Sequence, residues 1–268
     1  MLALFGYLTA DLIVRALPEP LANALARALA RLVFAAGVPA RGRLESNLAR
    51  LRSGAPSRVR ELAHQSFEEF ALGVADFLRL GHVSREHLAE RVVVRGGEHL
   101  QAARASGRGV IVLSAHFGSW EWGAAYLAAQ GSPLHVAARP HESRAVERFF
   151  RSRRASWGVR QLDQRPAWLG AARALRQGGW VGLMGDRPVP DVGGSPCAWA
   201  AALARRTGAI ILPAAMMRLD DGRHLLWCEA PLSPRACLEG EYRAAMRRHQ
   251  QRAAGQWFAF EPLSDALA

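Results

Sequence analysis

The run Gly109-Val-Ile-Val-Leu-Ser114 restricts the fold of this chain more than any other feature. It is apolar throughout its middle, without the in-and-out alternation of a half-solvated strand. Strands buried on both faces belong to sheets covered by helices on either side. Short apolar, β-branched runs recur at 91–94, 134–138, 180–184, 209–215 and 224–229. Between them, stretches with helical character occupy 98–105, 120–130, 143–157, 166–177, 196–207 and 241–252. This alternation predicts an α/β layered domain with a largely parallel sheet flanked by helices.

The first 90 or so residues have a different pattern. Leu21, Leu25, Leu29, Leu32 and Val33 share one arc of a helix at ~100° per residue, with Arg27 and Arg31 opposite. Such a helix suits anionic lipid, or the surface of a domain. A basic loop is expected at 39–43, then a second helix with Ser57 as N-cap. Val59, Leu62, Phe67, Phe70, Val74 and Phe77 recur along that helix at its period and read as core. The expected organisation is a helical, membrane-associating section over 1–90 and an α/β domain over 91–268. The segment 1–14 is apolar but broken by Asp11, and it falls short of the ~20 apolar residues a spanning helix needs. It has no small-residue cleavage pattern, so an interfacial helix is the expectation.

Charge narrows the partners. The formal net charge is +12, and all 35 basic residues are arginine. Guanidinium stays charged and grips phosphate or carboxylate in a bidentate fork. The excess implies an anionic partner: nucleic acid, a membrane face or an acidic carrier protein. Cys197, Cys228 and Cys237 are odd in number and lack metal-ligand spacing, which points to reduced thiols, with Cys228 in the core.

The buried run ends at His116, in the sequence Ser114-Ala-His116-Phe-Gly-Ser-Trp-Glu121. Ligands of α/β sheets collect at the carboxyl ends of strands. Gly118 relaxes the turn, and Glu121 starts the next helix, from which a carboxylate can return to hydrogen-bond the imidazole and raise its basicity. That is a base and its orienter without a protein nucleophile; a substrate hydroxyl takes the nucleophile's place. The spacing is not His-Glu-x-x-His, so no metal site is expected, and no Gly-x-Ser-x-Gly elbow or phosphate loop is present.

His116-Phe-Gly-Ser-Trp-Glu121 resembles the His-x-x-x-x-Asp/Glu motif of the glycerolipid acyltransferase superfamily. Its form is similar to the branch of lipid A lauroyl/myristoyl acyltransferases and phosphatidylinositol mannoside acyltransferases. Asn47-Leu48, Arg139-Pro140, Gly185-Asp186-Arg187 and the segment from Ala204 through Thr207-Gly208-Ala209 to Leu212-Pro213 resemble further motifs of that family, in order. Together the likeness spans about residues 20–260. The segment from Asp186 to Pro196 is shorter than the family's usual one, and keeps only Gly193-Gly194-Ser195-Pro196 as its loop.

The resemblance implies an O-acyltransferase without metal or other cofactor. His116 would deprotonate the acceptor hydroxyl for attack on a thioester, and Glu121 would orient it. Arg139 would meet an anionic group, with Asp186 positioning Arg139 or the acceptor and Arg187 beside it on the substrate. Backbone N–H groups near Gly118 would be candidate oxyanion donors. The expected donor is acyl carrier protein and the acceptor a lipid A-type glycolipid precursor, at the cytoplasmic face of the inner membrane, held peripherally or by one N-terminal anchor. The alternatives are a phosphatidylinositol mannoside or lysophospholipid acyltransferase using acyl-CoA, or a silent membrane scaffold. The arginines and aromatics of 144–165 are read as a docking face for the acidic carrier or lipid headgroups, and no nucleic acid is expected as partner.

Overall fold

The computed structural model describes residues 2–51, 55–162, 167–187, 195–235 and 237–261. Four helices open the chain: α1 (Leu2–Ala16), α2 (Glu19–Ala35), α3 (Pro39–Leu51) and α4 (Pro56–Arg79). A short α5 (Arg85–Glu90) leads into β1 (Val92–Arg95). Then follow α6 (Gly97–Ala105), β2 (Val110–Ser114), α7 (Trp120–Ala129), β3 (Leu134–Val136), α8 (Arg144–Ala155) and β4 (Val159–Gln161). The chain continues through α9 (Ala167–Arg176), β5 (Trp180–Met184), α10 (Pro196–Thr207), β6 (Ile210–Arg218), β7 (His224–Cys228) and α11 (Leu238–Ala253).

Among the described residues the strands form one seven-stranded sheet in the order β1-β7-β6-β2-β5-β3-β4. Every pairing is parallel except β6 with β7, which run antiparallel. The expected layered α/β fold with a mostly parallel sheet is present, and a helical section precedes it. The fully apolar run at β2 is explained by its central place, between β5 and β6. Ile111 and Leu113 face one side of the sheet, with α9, α10 and α11. Val110 and Val112 face the other, with α6 and α7. The period of two thus feeds two apolar layers.

The basic segment at 39–43 is helix rather than loop: Pro39 is the first residue of α3, where its missing N–H costs nothing. The helix expected to be capped by Ser57 instead starts two residues earlier, with Ala55 at the N-cap position and Pro56 beginning the helix. β4 and α5 are three and six residues long and carried no periodic signal. Pro166, Arg165 and Gly193-Gly194 lie outside the described residues. Among the described residues no single helix is long and apolar enough to cross a membrane; α2 with 39–50 meets the length and composition test only as a pair bent by 88°.

α4 is pinned to the sheet by buried charge. Asp76 is 2% exposed and lies between Arg79 (2.9 Å), Arg218 of β6 and the hydroxyl of Ser119. His224 of β7 sits 3.7 Å from it. Burial alone would raise the Asp76 carboxyl, but the Arg218 charge and the hydrogen bonds from Arg218 and Ser119 outweigh it and hold it below the ordinary carboxylate range. Because Ser119 is the N-cap residue of α7, this cluster also fixes the turn that follows His116.

Candidate active site

The register of the sheet builds the site. β2 and β5 are parallel neighbours with Ser114 opposite Met184. Two residues beyond each partner, the chain delivers His116 and Asp186 side by side. The Asp186 Oδ1 lies 2.9 Å from His116 Nδ1, and its Oδ2 accepts the backbone N–H of His116 at 3.0 Å. Trp257 adds a third donor, its Nε1–H reaching Oδ2 at 3.1 Å. Asp186 is 1% exposed. Burial pushes its carboxyl up, but His116 and these hydrogen bonds together leave it below the ordinary range. An ionised Asp186 accepts from Nδ1, so the imidazole proton sits there and Nε2 keeps its lone pair.

Glu121 does not occupy this place. Its carboxylate is gripped by the Arg154 guanidinium of α8, with Nε at 3.0 and 3.2 Å from the two oxygens. Arg154 continues to Gln161 (2.8 Å), which reaches Glu147 (2.7 Å), which in turn holds His141. The expected contact of Glu121 with the imidazole is therefore corrected. Glu121 opens α7 on the side facing α8 and ties the two helices together, while Asp186 meets the imidazole. Asp186 in turn makes no contact with Arg139.

The turn after His116 depends on its glycine. Gly118 has φ +48°, and a Cβ there would run into the carbonyl oxygen of Met216. Its N–H donates to the Gln256 carbonyl at 2.9 Å. This bond occupies the N–H of Gly118 itself. Gln256 also bonds both backbone groups of Arg218, at 2.7 and 2.8 Å, and Phe258 N–H donates to the His116 carbonyl at 2.9 Å. The segment 256–258 thus clamps the turn that follows His116, a role that no periodicity or motif announced.

His116 stands at the head of a cavity of about 390 Å³. The interior is apolar, including Tyr7, Phe77, Val112, Leu127, Leu134 and Leu226, and small residues Gly73, Gly123, Ala124 and Gly182 open space along it. The polar lining includes Arg139, Arg187, Arg154, Glu121 and Glu261. Arg139 and Arg187 lie 3.8 and 3.6 Å from the two oxygens of the same Glu261 carboxylate. Phe70, read as core, is 38% exposed and lines the cavity, while Phe67 and Phe77 are buried as expected. Trp120 meets the His116 ring edge-on at 5.4 Å and stacks on Phe70 at 6.4 Å.

The basic stretch of α8 divides in two. Arg144, Arg148 and Arg151 are exposed, Arg151 donating to the Gln161 carbonyl at 3.3 Å, and the less exposed Arg153 and Arg154 pair with Asp11 and Glu121. Its aromatics are packed: Phe150 stacks on Phe77 at 4.6 Å, and the buried Trp157 donates to the Leu80 carbonyl. Cys228 lies in the core, 2% exposed.

An imidazole backed by a carboxylate, at the head of a mostly apolar cavity, has the parts that transfer of a fatty acyl group needs. The family model described as bacterial lipid A biosynthesis acyltransferase matches residues 2–254. The chain is also similar to the phosphatidylinositol mannoside acyltransferase of Mycolicibacterium smegmatis, 28% identical over 237 residues, covering 81% of this chain and 75% of that protein. The phosphatidylinositol mannoside acyltransferase of Mycobacterium tuberculosis is 28% identical over 225 residues, 78% of this chain and 71% of its own length. This chain belongs to the bacterial lipid A biosynthesis acyltransferase family, and it is an acyl-transferring enzyme.

Proposed function

We propose that this enzyme moves a fatty acyl chain from a thioester donor to a hydroxyl of an anionic glycolipid, with His116 as general base oriented by Asp186. One observation carries the reading: the His116–Asp186 pair stands at the head of an apolar cavity. The acyl chain lies in that cavity with its thioester carbonyl beside Nε2. Nε2 takes the proton of the acceptor hydroxyl, whose oxygen attacks the carbonyl. The tetrahedral intermediate collapses, the C–S bond breaks, and the imidazolium returns its proton to the departing thiolate. Asp186 stabilises the imidazolium between these steps. Glu261, held between Arg139 and Arg187, supports placing a phosphate or other anion of the substrate at those two guanidiniums.

The proposed donor is acyl carrier protein, because Arg144, Arg148 and Arg151 project from the helix whose Phe150 and Arg154 line the cavity. Acyl-CoA is the second donor to be offered. The acceptor is a lipid A-type precursor or a phosphatidylinositol mannoside, the latter favoured by the names of both relatives. The work takes place at the cytoplasmic face of the inner membrane, where the exposed leucines of α2 meet lipid.

Mass spectrometry of products, with both donors offered against both acceptors, tests the reading. An acylated glycolipid supports it and names the substrate pair. Absence of product from every combination, with the protein folded and vesicles present, overturns it in favour of a silent scaffold.

A further inference from the structure

A second cavity, of about 520 Å³, lies between α1, α2, the start of α3 and the outer face of α4. Its walls are made of alanine, valine, isoleucine, leucine and phenylalanine alone. A space without polar partners does not hold ordered water, and hydrocarbon is what fits it. Leu25, Leu29 and Val33 form part of the lining and are themselves 48%, 60% and 38% exposed, so the cavity opens on the apolar arc of α2. Phe5, Leu8, Leu12, Leu21 and Leu32 extend that exposed apolar surface over α1 and α2.

The two cavities are neighbours across one helix. Phe70 and Val74 of α4 line both. From Phe70 the path to the base is short: its ring stacks on Trp120, and Trp120 meets His116. If the catalytic cavity takes the donor chain, the acceptor must bring its hydroxyl to Nε2 from another direction, and a glycolipid brings chains of its own.

We propose that the second cavity holds a hydrocarbon chain of the anionic acceptor lipid, drawn sideways from the bilayer. This rests on the acyl-transfer reading. The shared wall at Phe70 and Val74 sets the acceptor beside the base. The lining offers no hydrogen-bond partner to a polar ligand, which favours a hydrocarbon chain as the occupant.

The test uses the full chain on phosphatidylcholine vesicles containing phosphatidylinositol with one diazirine-bearing acyl chain. Photolysis, digestion and mass spectrometry locate the label. The expected label falls on residues 25–33 and 71–78. It drops about tenfold in Ala26→Trp and in Ala71→Phe, which fill the cavity from opposite walls; that is a loss of about 1.4 kcal/mol in affinity. Hydrolysis of acyl-CoA without acceptor, a readout of the catalytic cavity, stays at the wild-type rate in at least one of the two variants. A diazirine on the acyl-CoA chain is expected to label Leu134 and Phe77 instead. Equal labelling of wild type and both variants, or a donor chain found at residues 25–33, overturns the proposal. Cavity labelling in a protein that transfers no acyl group upholds the lipid-chain site and overturns the acyl-transfer reading, so the two failures are separable.

Discussion

Replacing Asp186 with asparagine isolates the function of the carboxylate, because the surroundings dictate how the amide must sit. Oδ2 accepts two N–H groups, from the His116 backbone and from Trp257. The single oxygen of asparagine satisfies both donors only from that position, which turns its NH₂ towards Nδ1. The imidazole must then accept at Nδ1 and carry its proton on Nε2, where a base needs a lone pair. The whole general-base contribution, ~10²–10⁴ in kcat or about 2.7–5.4 kcal/mol, is expected to vanish while KM stays near wild type. Stability changes little, since both donors to the oxygen keep their partner. Glu121→Gln is the contrast. It weakens the Arg154 pairing at a half-buried site, so it is expected to lower stability by about 2 kcal/mol and leave kcat within about tenfold. Steady-state kinetics on the productive substrate pair, with a denaturant titration of each variant, reads both. Wild-type kcat in Asp186→Asn, together with a hundredfold loss in a fully stable Glu121→Gln, would refute the assignment and return the orienting role to Glu121.

Three further outcomes follow from the structure. Burial lowers His224 and His249 from the ordinary 6.5 to about 4, so both stay neutral in the fold while the unfolded chain takes up protons below 6.5. Stability is therefore expected to be flat above pH 7 and to fall by about 3 kcal/mol per histidine between pH 6.5 and 4; a urea midpoint unchanged at pH 4.5 would contradict this. Burial also pushes Cys197 and Cys228 up to about 12, whereas Cys237 is exposed. Iodoacetamide at neutral pH should modify Cys237 alone in the folded protein and all three thiols in denaturant, and early labelling of Cys228 would mean that the core is open. Ala124→Phe projects a ring into the catalytic cavity, so the preferred donor should become shorter by several carbons; an unchanged chain-length profile would place the acyl chain elsewhere.

Much of this site was legible in the sequence, and the limits have physical causes. The uninterrupted run at 110–113 specified a central strand, because only burial on both faces tolerates it, and the strand's end located His116. The carboxylate that meets the imidazole was not legible. Asp186 lies 70 positions away, and its place depends on β5 being the neighbour of β2, a pairing between elements that local pattern does not encode. Glu121 was the acid close in sequence, but as the second residue of α7 it faces α8 and finds Arg154. The clamp by Gln256 and Trp257 rests on a few hydrogen bonds from one short 3-10 turn and the residue after it, which have no period to detect. The arginines of α8 looked uniform, yet a helix turns each in its own direction, and Arg153 and Arg154 were drawn inward to Asp11 and Glu121.

The account turns on His116 as the base, and the most direct measurement is kcat of His116→Ala against wild type, with the thioester and glycolipid that give product. The predicted result is a loss of ~100-fold or more with the fold intact, since the proton of the acceptor hydroxyl then has no acceptor at the head of the cavity. Equal turnover by the two proteins would contradict the account and place the chemistry away from the His116–Asp186 pair.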